Sequence, residues 1–340
     1  ATEARDHLKK LRERATQSLD NSKSVKVAIE NAAASNDEAA LRQFVSQNFV
    51  AVKQFSSGPL FDKYLEAAIS GEQQAAEASL KTVRLIGRLT SEIKKDQYLN
   101  DLADFSSRAS PEVKNGMLNV RLMLRQADGE FDRSSHDAAF KLYQSAYQAA
   151  ERIGDQQHAE TAAISLFRYY NLRAKSQELA ALGNLIVTQS ERRHHRQSQA
   201  KAYLALANAY LSSQQIALAL ENSLHAIDIA KELGDSGTTI NGLRYASAAY
   251  SRTGDYDQAL NKDFELLSSL QDVTSSYLAV VAYQQVGETL FRLGNYPMAY
   301  DYQQESLQIA TSINNPLAHA GSAGRIGLTL WKLGRNNEAL

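Results

Sequence analysis

Residues 246–260 read ASAAYSRTGDYDQAL, residues 286–300 read VGETLFRLGNYPMAY, and residues 326–340 read IGLTLWKLGRNNEAL. Each stretch opens with apolar residues four apart: Ala246 and Tyr250, Val286 and Leu290, Ile326 and Leu330. That spacing marks one face of a helix. Gly254, Gly294 or Gly334 follows, and a glycine just past a helix takes the left-handed conformation that closes it. A short polar turn comes next, and Ala259, Ala299 or Ala339 then begins a second apolar face, small enough for two helices to approach closely. Pro297 falls in the first turn of its helix, where a missing N–H costs little. The stretch is a helix, a turn and a helix, and it recurs at a spacing of 40.

Working outward, four columns keep that phase. One runs Tyr170, Tyr210, Tyr250, Leu290, Leu330; a second runs Leu166, Leu206, Ala246, Val286, Ile326. The others are Ala219, Ala259, Ala299, Ala339 and Tyr147, Val187, Ile227, Leu267, Leu307. A structure that stacks one unit along an axis requires this regularity, and such stacks present extended binding surfaces. Upstream the pattern weakens. AAERIGD at 149–155 is echoed by AKELGD at 230–235, but the segment ADGEFDRSSHD at 127–137 reads as a longer turn than the later ones. Gly71 and Ala76 keep the gap of Gly254 and Ala259, and SNDEAALRQF at 35–44 reads as another turn and helix, so degenerate units are expected there. The first 20 residues read as a charged amphipathic helix carrying Leu8, Leu11, Ala15 and Leu19. Pro111 interrupts helical sequence and divides an irregular helical region, 1–110, from the array, 111–340, whose last repeat is incomplete.

Composition agrees with an all-α chain. Apolar residues make up 44%, and only 4 prolines and 17 glycines occur in 340 residues. No stretch approaches the roughly 18 uninterrupted apolar residues of a membrane helix, so a soluble protein is expected, cytoplasmic or periplasmic. The net charge of −1 argues against a general nucleic-acid binder. Cysteine is absent, which excludes disulfides, thiolate metal sites and cysteine nucleophiles. The sequence starts at Ala1 rather than Met and stops inside a unit at Leu340, so a processed or excised piece of a longer protein is expected.

The motif resembles the tetratricopeptide repeat. Val286, Gly287, Leu290, Gly294, Tyr296 and Ala299 fall in its register, as do Ile326, Gly327, Leu330, Gly334 and Ala339. The family unit is about 34 residues, and the longer unit here is similar to a long-helix variant found in bacterial regulatory proteins. The resemblance covers about 156–340 and is strongest from about 200. It implies a right-handed superhelical solenoid of antiparallel helix pairs whose first helices line a concave groove. On that face it places Arg168 and Asn171, then Asn208 and Leu211, then Arg244, Ser251 and Arg252. Gln284, Glu288, Phe291 and Arg292 follow, with Leu328, Trp331 and Lys332 last. Some members clamp the acidic C-termini of heat-shock chaperones. Asn208 matches one clamp residue, but Tyr245, Val281 and Gln285 do not match the others, which sets chaperone binding aside.

No catalytic motif accompanies the repeat. The glycines make no dinucleotide or phosphate-loop spacing, and the seven histidines give no H-E-x-x-H. Gly234-Asp235-Ser236-Gly237 is one residue short of a nucleophile elbow. His194-His195, within ERRHHR at 191–196, reads as a solvated basic turn rather than a metal or phosphate site. No catalysis, cofactor or metal is therefore expected. The groove carries Arg168, Arg244, Arg252, Arg292 and Lys332 against Glu288, and guanidinium forks pair well with carboxylates. An acidic or C-terminal-carboxylate peptide is the expected partner. Phe291 and Trp331, one period apart, are expected side by side, either as an exposed aromatic anchor or packed inward against a following unit. The function implied is a protein- or peptide-binding scaffold, the sensor or adaptor part of a bacterial regulatory protein. The alternative is the substrate-presenting part of an enzyme, such as a CHAT-type peptidase, with its catalytic domain beyond residue 340.

Overall fold

The structure is a computed structural model that describes residues 25–29, 31, 38–270 and 276–339. The amphipathic helix expected over the first 20 residues lies outside them. Among the described residues there is no strand, and the chain forms helices α1 (Glu38–Ser57), α2 (Pro59–Ser70), α3 (Gln73–Lys94), α4 (Tyr98–Arg108), α5 (Pro111–Asp132), α6 (His136–Ile153), α7 (Gln156–Leu172) and α8 (Ser176–Arg193). After these come α9 (Arg196–Ser212), α10 (Ile216–Leu233), α11 (Ser236–Thr253), α12 (Tyr256–Ser269), α13 (Ser276–Arg292), α14 (Tyr296–Ser312), α15 (Pro316–Lys332) and the short α16 (Asn336–Ala339).

From α5 to α15 every helix except α12, which ends at Leu270 in the right-handed region, closes the same way. A residue of positive φ stands every 20 positions: Ser134, Gly154, Ala174, His194, Gln214, Gly234, Gly254, then Gly294, Asn314 and Gly334. The next N–H reaches back five residues to a carbonyl, as in Lys175 to Tyr170 at 2.9 Å, Asp255 to Tyr250 at 3.0 Å and Asn295 to Leu290 at 2.9 Å. This pairing satisfies carbonyls that a helix end leaves open. The following residue caps the next helix. Asp155, Asp235, Asp255, Asn295 and Asn315 each accept, on the side-chain oxygen, the N–H three positions on. The segment at 127–137 obeys the same rule. α5 runs through Gly129 to Asp132 and the turn has ordinary length, so the longer turn expected there is not found. A mid-helix glycine costs only about 1 kcal/mol, which packing offsets.

Two compact units divide the described chain. The first comprises 22–212 with 232–234; the second comprises 213–231 with 235–340. In the first unit, α1 to α4 enclose a core of Val45, Val52, Phe61, Leu65, Val83, Ile86, Leu99 and Leu102, all buried. Helices α5 to α9 then pack in sequence as antiparallel neighbours, with Ala139, Tyr143, Ala146, Ala162 and Leu166 in one cluster and Ala163, Leu179, Ile186 and Ala202 in the next. In the second unit α11 packs on α12, α13 on α14 and α14 on α15, around Ile240, Leu243, Ala246, Leu266, Ala279 and Ile309. The columns hold: Leu166, Leu206, Ala246, Val286 and Ile326 are buried, as are Ala219, Ala259 and Ala299. Ala339 is only half-buried. Close approach also fixes Gly183, where a Cβ would stand 2.8 Å from Leu206 Cδ2.

Candidate functional site

In the first unit the predicted face is carried by α7 and α9. Asn208 Nδ2 donates to Asn171 Oδ1 at 2.6 Å, which joins neighbouring first helices directly. Arg168 lies 3.9 Å from the centre of the Phe131 ring, with Asp128 at 3.3 Å and Asp132 at 3.7 Å. Its charge is matched within its own unit, so it does not add to a basic excess. Leu211 is buried and does not belong to an exposed face.

In the second unit the face is carried by α11, α13 and α15. Arg252 is exposed, while Arg244 is half-buried with its guanidinium 4.2 Å from the Tyr245 ring. Ser251 is buried, contrary to its expected place on the surface. Gln284 Nε2 donates to Ser322 Oγ at 3.0 Å, which fixes its amide between α13 and α15. Arg292 Nε donates to Glu288 Oε1 at 2.8 Å, and Arg325 Nε stands 3.8 Å from the other Glu288 oxygen. Two guanidinium groups thus share one carboxylate. Arg325 was missed in the sequence because it sits one residue before the buried Ile326, inside the apolar register. Phe291 is half-buried against Val286, Leu290 and Ala299, with its ring edge-on to Tyr296 at 5.4 Å. Trp331 is 58% exposed and carries Lys332 Nζ 4.6 Å from its ring. Phe291 and Trp331 therefore differ in surroundings: the first serves the core and the second faces water, as does Leu328.

The His194-His195 turn overturns its sequence reading. His194 is the left-handed closing residue of α8 with φ 56°, but His195 has no exposed surface. Its Nδ1 lies 2.8 Å from Glu160 Oε2 on α7, and its Nε2 lies 2.9 Å from Asp101 Oδ2 on α4. The Tyr98 ring packs against it at 5.3 Å, and the Tyr98 hydroxyl donates to the Gln157 carbonyl at 3.2 Å. Beside it Lys53 Nζ meets both oxygens of Asp96 at 3.0 Å, with both side chains buried. Asp96 also accepts the backbone N–H of Gln197 at 3.1 Å. This buried charge network ties the helices before residue 110 to the starts of α7 and α9. The usable sequence signal was that 195 occupies the capping phase held by Asp155 and Asp235. Among the described residues no group of three His, Cys, Asp or Glu is placed to hold a metal ion. No described helix is long and apolar enough to cross a membrane.

No family model matches the chain, and no curated protein does. Its fold is similar to aspartyl phosphate phosphatase F from Bacillus subtilis, at 12% identity and TM-score 0.55, over 83% of this chain and 80% of that one. It is also similar to a signal transduction ATPase with numerous domains and a tetratricopeptide repeat sensor from Pyrococcus horikoshii, at 15% identity and TM-score 0.52, over 77% of this chain and 42% of that one. The apo form of RapI matches at 14% identity and TM-score 0.50, over 96% of this chain and 83% of that one. The fold is thus a tetratricopeptide-like array of paired helices, as the repeat implied.

Proposed function

We propose that this chain is a protein- or peptide-binding scaffold acting as the sensor or adaptor part of a bacterial regulatory protein, without catalysis of its own. The observation that carries the reading is the stack of helix pairs, most closed by the same left-handed turn, with a polar first-helix face in each unit. The fold likeness to a chain with a tetratricopeptide repeat sensor supports it. The regular array begins at Pro111, the first residue of α5, capped by Ser110.

In the second unit the face takes an acidic peptide. Arg292 and Arg325 leave one positive charge in excess over Glu288, and Arg244, Arg252 and Lys332 are further cations of this face. Arg168 is left out of this surface, because Asp128 and Asp132 already engage it. Trp331 supplies the exposed aromatic contact, and Gln284 and the Asn171–Asn208 pair offer amides for a peptide backbone in their respective units. Charge-assisted pairs contribute about 1.5–3 kcal/mol each when desolvated and much less when exposed. Affinity capture from a bacterial extract should retain an acidic partner whose binding weakens with added salt. Arg252→Glu with Arg292→Glu should abolish capture and leave helicity and melting temperature unchanged. Full binding by the double variant would move the site elsewhere.

A further inference from the structure

A cavity of about 430 Å³ opens in the first unit. Its walls are Gln144, Tyr147 and Gln148 on α6 and Glu178, Ala181, Leu182 and Leu185 on α8, and its floor is Leu166 and Tyr170 on α7. The spacings within each helix put one continuous stripe toward the opening. The volume lies in the range of small-ligand sites, about 300–1,000 Å³.

The repeat provides its own comparison. At the phase of Ala181 the other units carry Lys141, Glu221, Asn261 and Asp301; at that of Leu185 they carry Ser145, His225, Glu265 and Glu305. Only α8 turns apolar residues outward at both places, and Leu185 remains 40% exposed. Tyr147 stands where its equivalents are Val187, Ile227, Leu267 and Leu307, so this unit alone brings a phenol to that position. The departure from a solvated second helix is thus confined to the residues around the cavity.

The charged residue in the lining is acidic. Glu178 lines the cavity; its own backbone N–H in the first turn of α8 and the Lys175 ammonium at 3.4 Å hold it below the usual carboxylate range. Glu151 adds a second negative charge near Tyr147. Burial raises the pKa of both Tyr147 and Tyr170, so their rings present neutral π faces and hydroxyl oxygens. An organic anion would meet the Glu178 carboxylate, the charged group of the lining itself. A cation would meet that carboxylate and aromatic rings, which attract it together.

We infer that this cavity is a binding site for a small organic cation, an amine whose apolar body rests on Leu166, Leu182 and the two tyrosine rings while its charge points to Glu178.

The test is calorimetric titration of the full chain with hexyltrimethylammonium, hexanol and hexanoate, which differ only at the head group. The ammonium should bind saturably at one site, and hexanol and hexanoate about tenfold or more weakly than it, the scale of one charge-assisted contact. Glu178→Gln should weaken the ammonium by a similar factor. Leu185→Arg, at an exposed position that the fold tolerates, should abolish it while the circular dichroism spectrum stays unchanged. A peptide with one central lysine, titrated in parallel, separates a free amine from a partner's side chain. Absence of ammonium binding, equal binding of hexanol or hexanoate, indifference to both substitutions, or binding of the peptide alone would each overturn the assignment.

Discussion

Glu160 and His195 stand 2.8 Å apart with no exposed side-chain surface on either, although 35 residues separate them. Asp101 closes on the other ring nitrogen of His195. A ring whose two nitrogens both face carboxyl oxygens is favoured in its protonated form, in which both nitrogens donate. His158 shows the contrasting pattern, with Asp155 at Nδ1 and the Arg121 guanidinium at Nε2. Burial opposes the charge on His195, but the hydrogen bonds to Asp101 and Glu160 outweigh it, and the pKa is raised.

A raised pKa in the folded state means that this contribution to stability is complete below the unfolded value of about 6.5 and is lost as pH rises through the folded value. Thermal melts of the wild type should therefore fall with pH above that point, and His195→Gln should flatten the dependence. Removing one member of a buried ionic set costs about 3–5 kcal/mol, so the variant should also melt lower at pH 6. A histidine ring titrating by NMR at an ordinary pKa would refute the imidazolium.

Ala259 has no exposed surface and sits between paired helices. Ala259→Phe should overpack that contact and lower unfolding free energy by about 1–3 kcal/mol, measurable by urea denaturation. An unchanged midpoint would mean that the column does not mark a close approach.

The repeat was legible because packing against a neighbour imposes the same size at the same phase, and Leu166, Leu206, Val286 and Ile326 show that constraint directly. Glycines at 254, 294 and 334 marked their turns. The turn at 133–135 was misplaced because Gly129 reads as a break, while Ser134, which takes the positive φ, carries no such signal. The burial of His195 was illegible for a different reason. Its partner Asp101 lies 94 residues away on a helix outside the regular register, so no local spacing reveals the pair. The charged face was legible in residue type but not in pairing: Arg168 meets Asp128 one full period upstream.

The turn geometry predicts opposite effects at equivalent positions. Ala174 holds φ 51° and Gly254 holds φ 83°. A side chain in the left-handed region costs about 1–2 kcal/mol. Ala174→Gly should therefore raise stability by about 1 kcal/mol, since glycine's greater freedom when unfolded offsets part of the gain. Gly254→Ala should lower it by a similar amount. Matching denaturation curves for the two variants would show that neither turn is held in this conformation.

Asp263 is buried in the second unit with no hydrogen bond of normal geometry on either oxygen. Gln285 Nε2 donates to Ser247 Oγ at 3.1 Å beside it. Burial pushes the Asp263 pKa up to about 6, and the hydroxyls of Ser247 and Thr289 offset only part of that. Here too the folded pKa exceeds the unfolded one, so the contribution is complete below about pH 4 and disappears as pH rises through the folded value. A shift of that size corresponds to roughly 3 kcal/mol between the two limits. Asp263→Asn keeps the shape and cannot ionise, so it should be more stable than wild type at pH 8 by about 1–3 kcal/mol and nearly equal to it at pH 4. Comparing the variant with wild type by urea denaturation at each pH cancels the contribution of His195, which both proteins share and which lies in the other unit. A variant less stable than wild type at pH 8 would show that the carboxylate is ionised and well solvated where it stands.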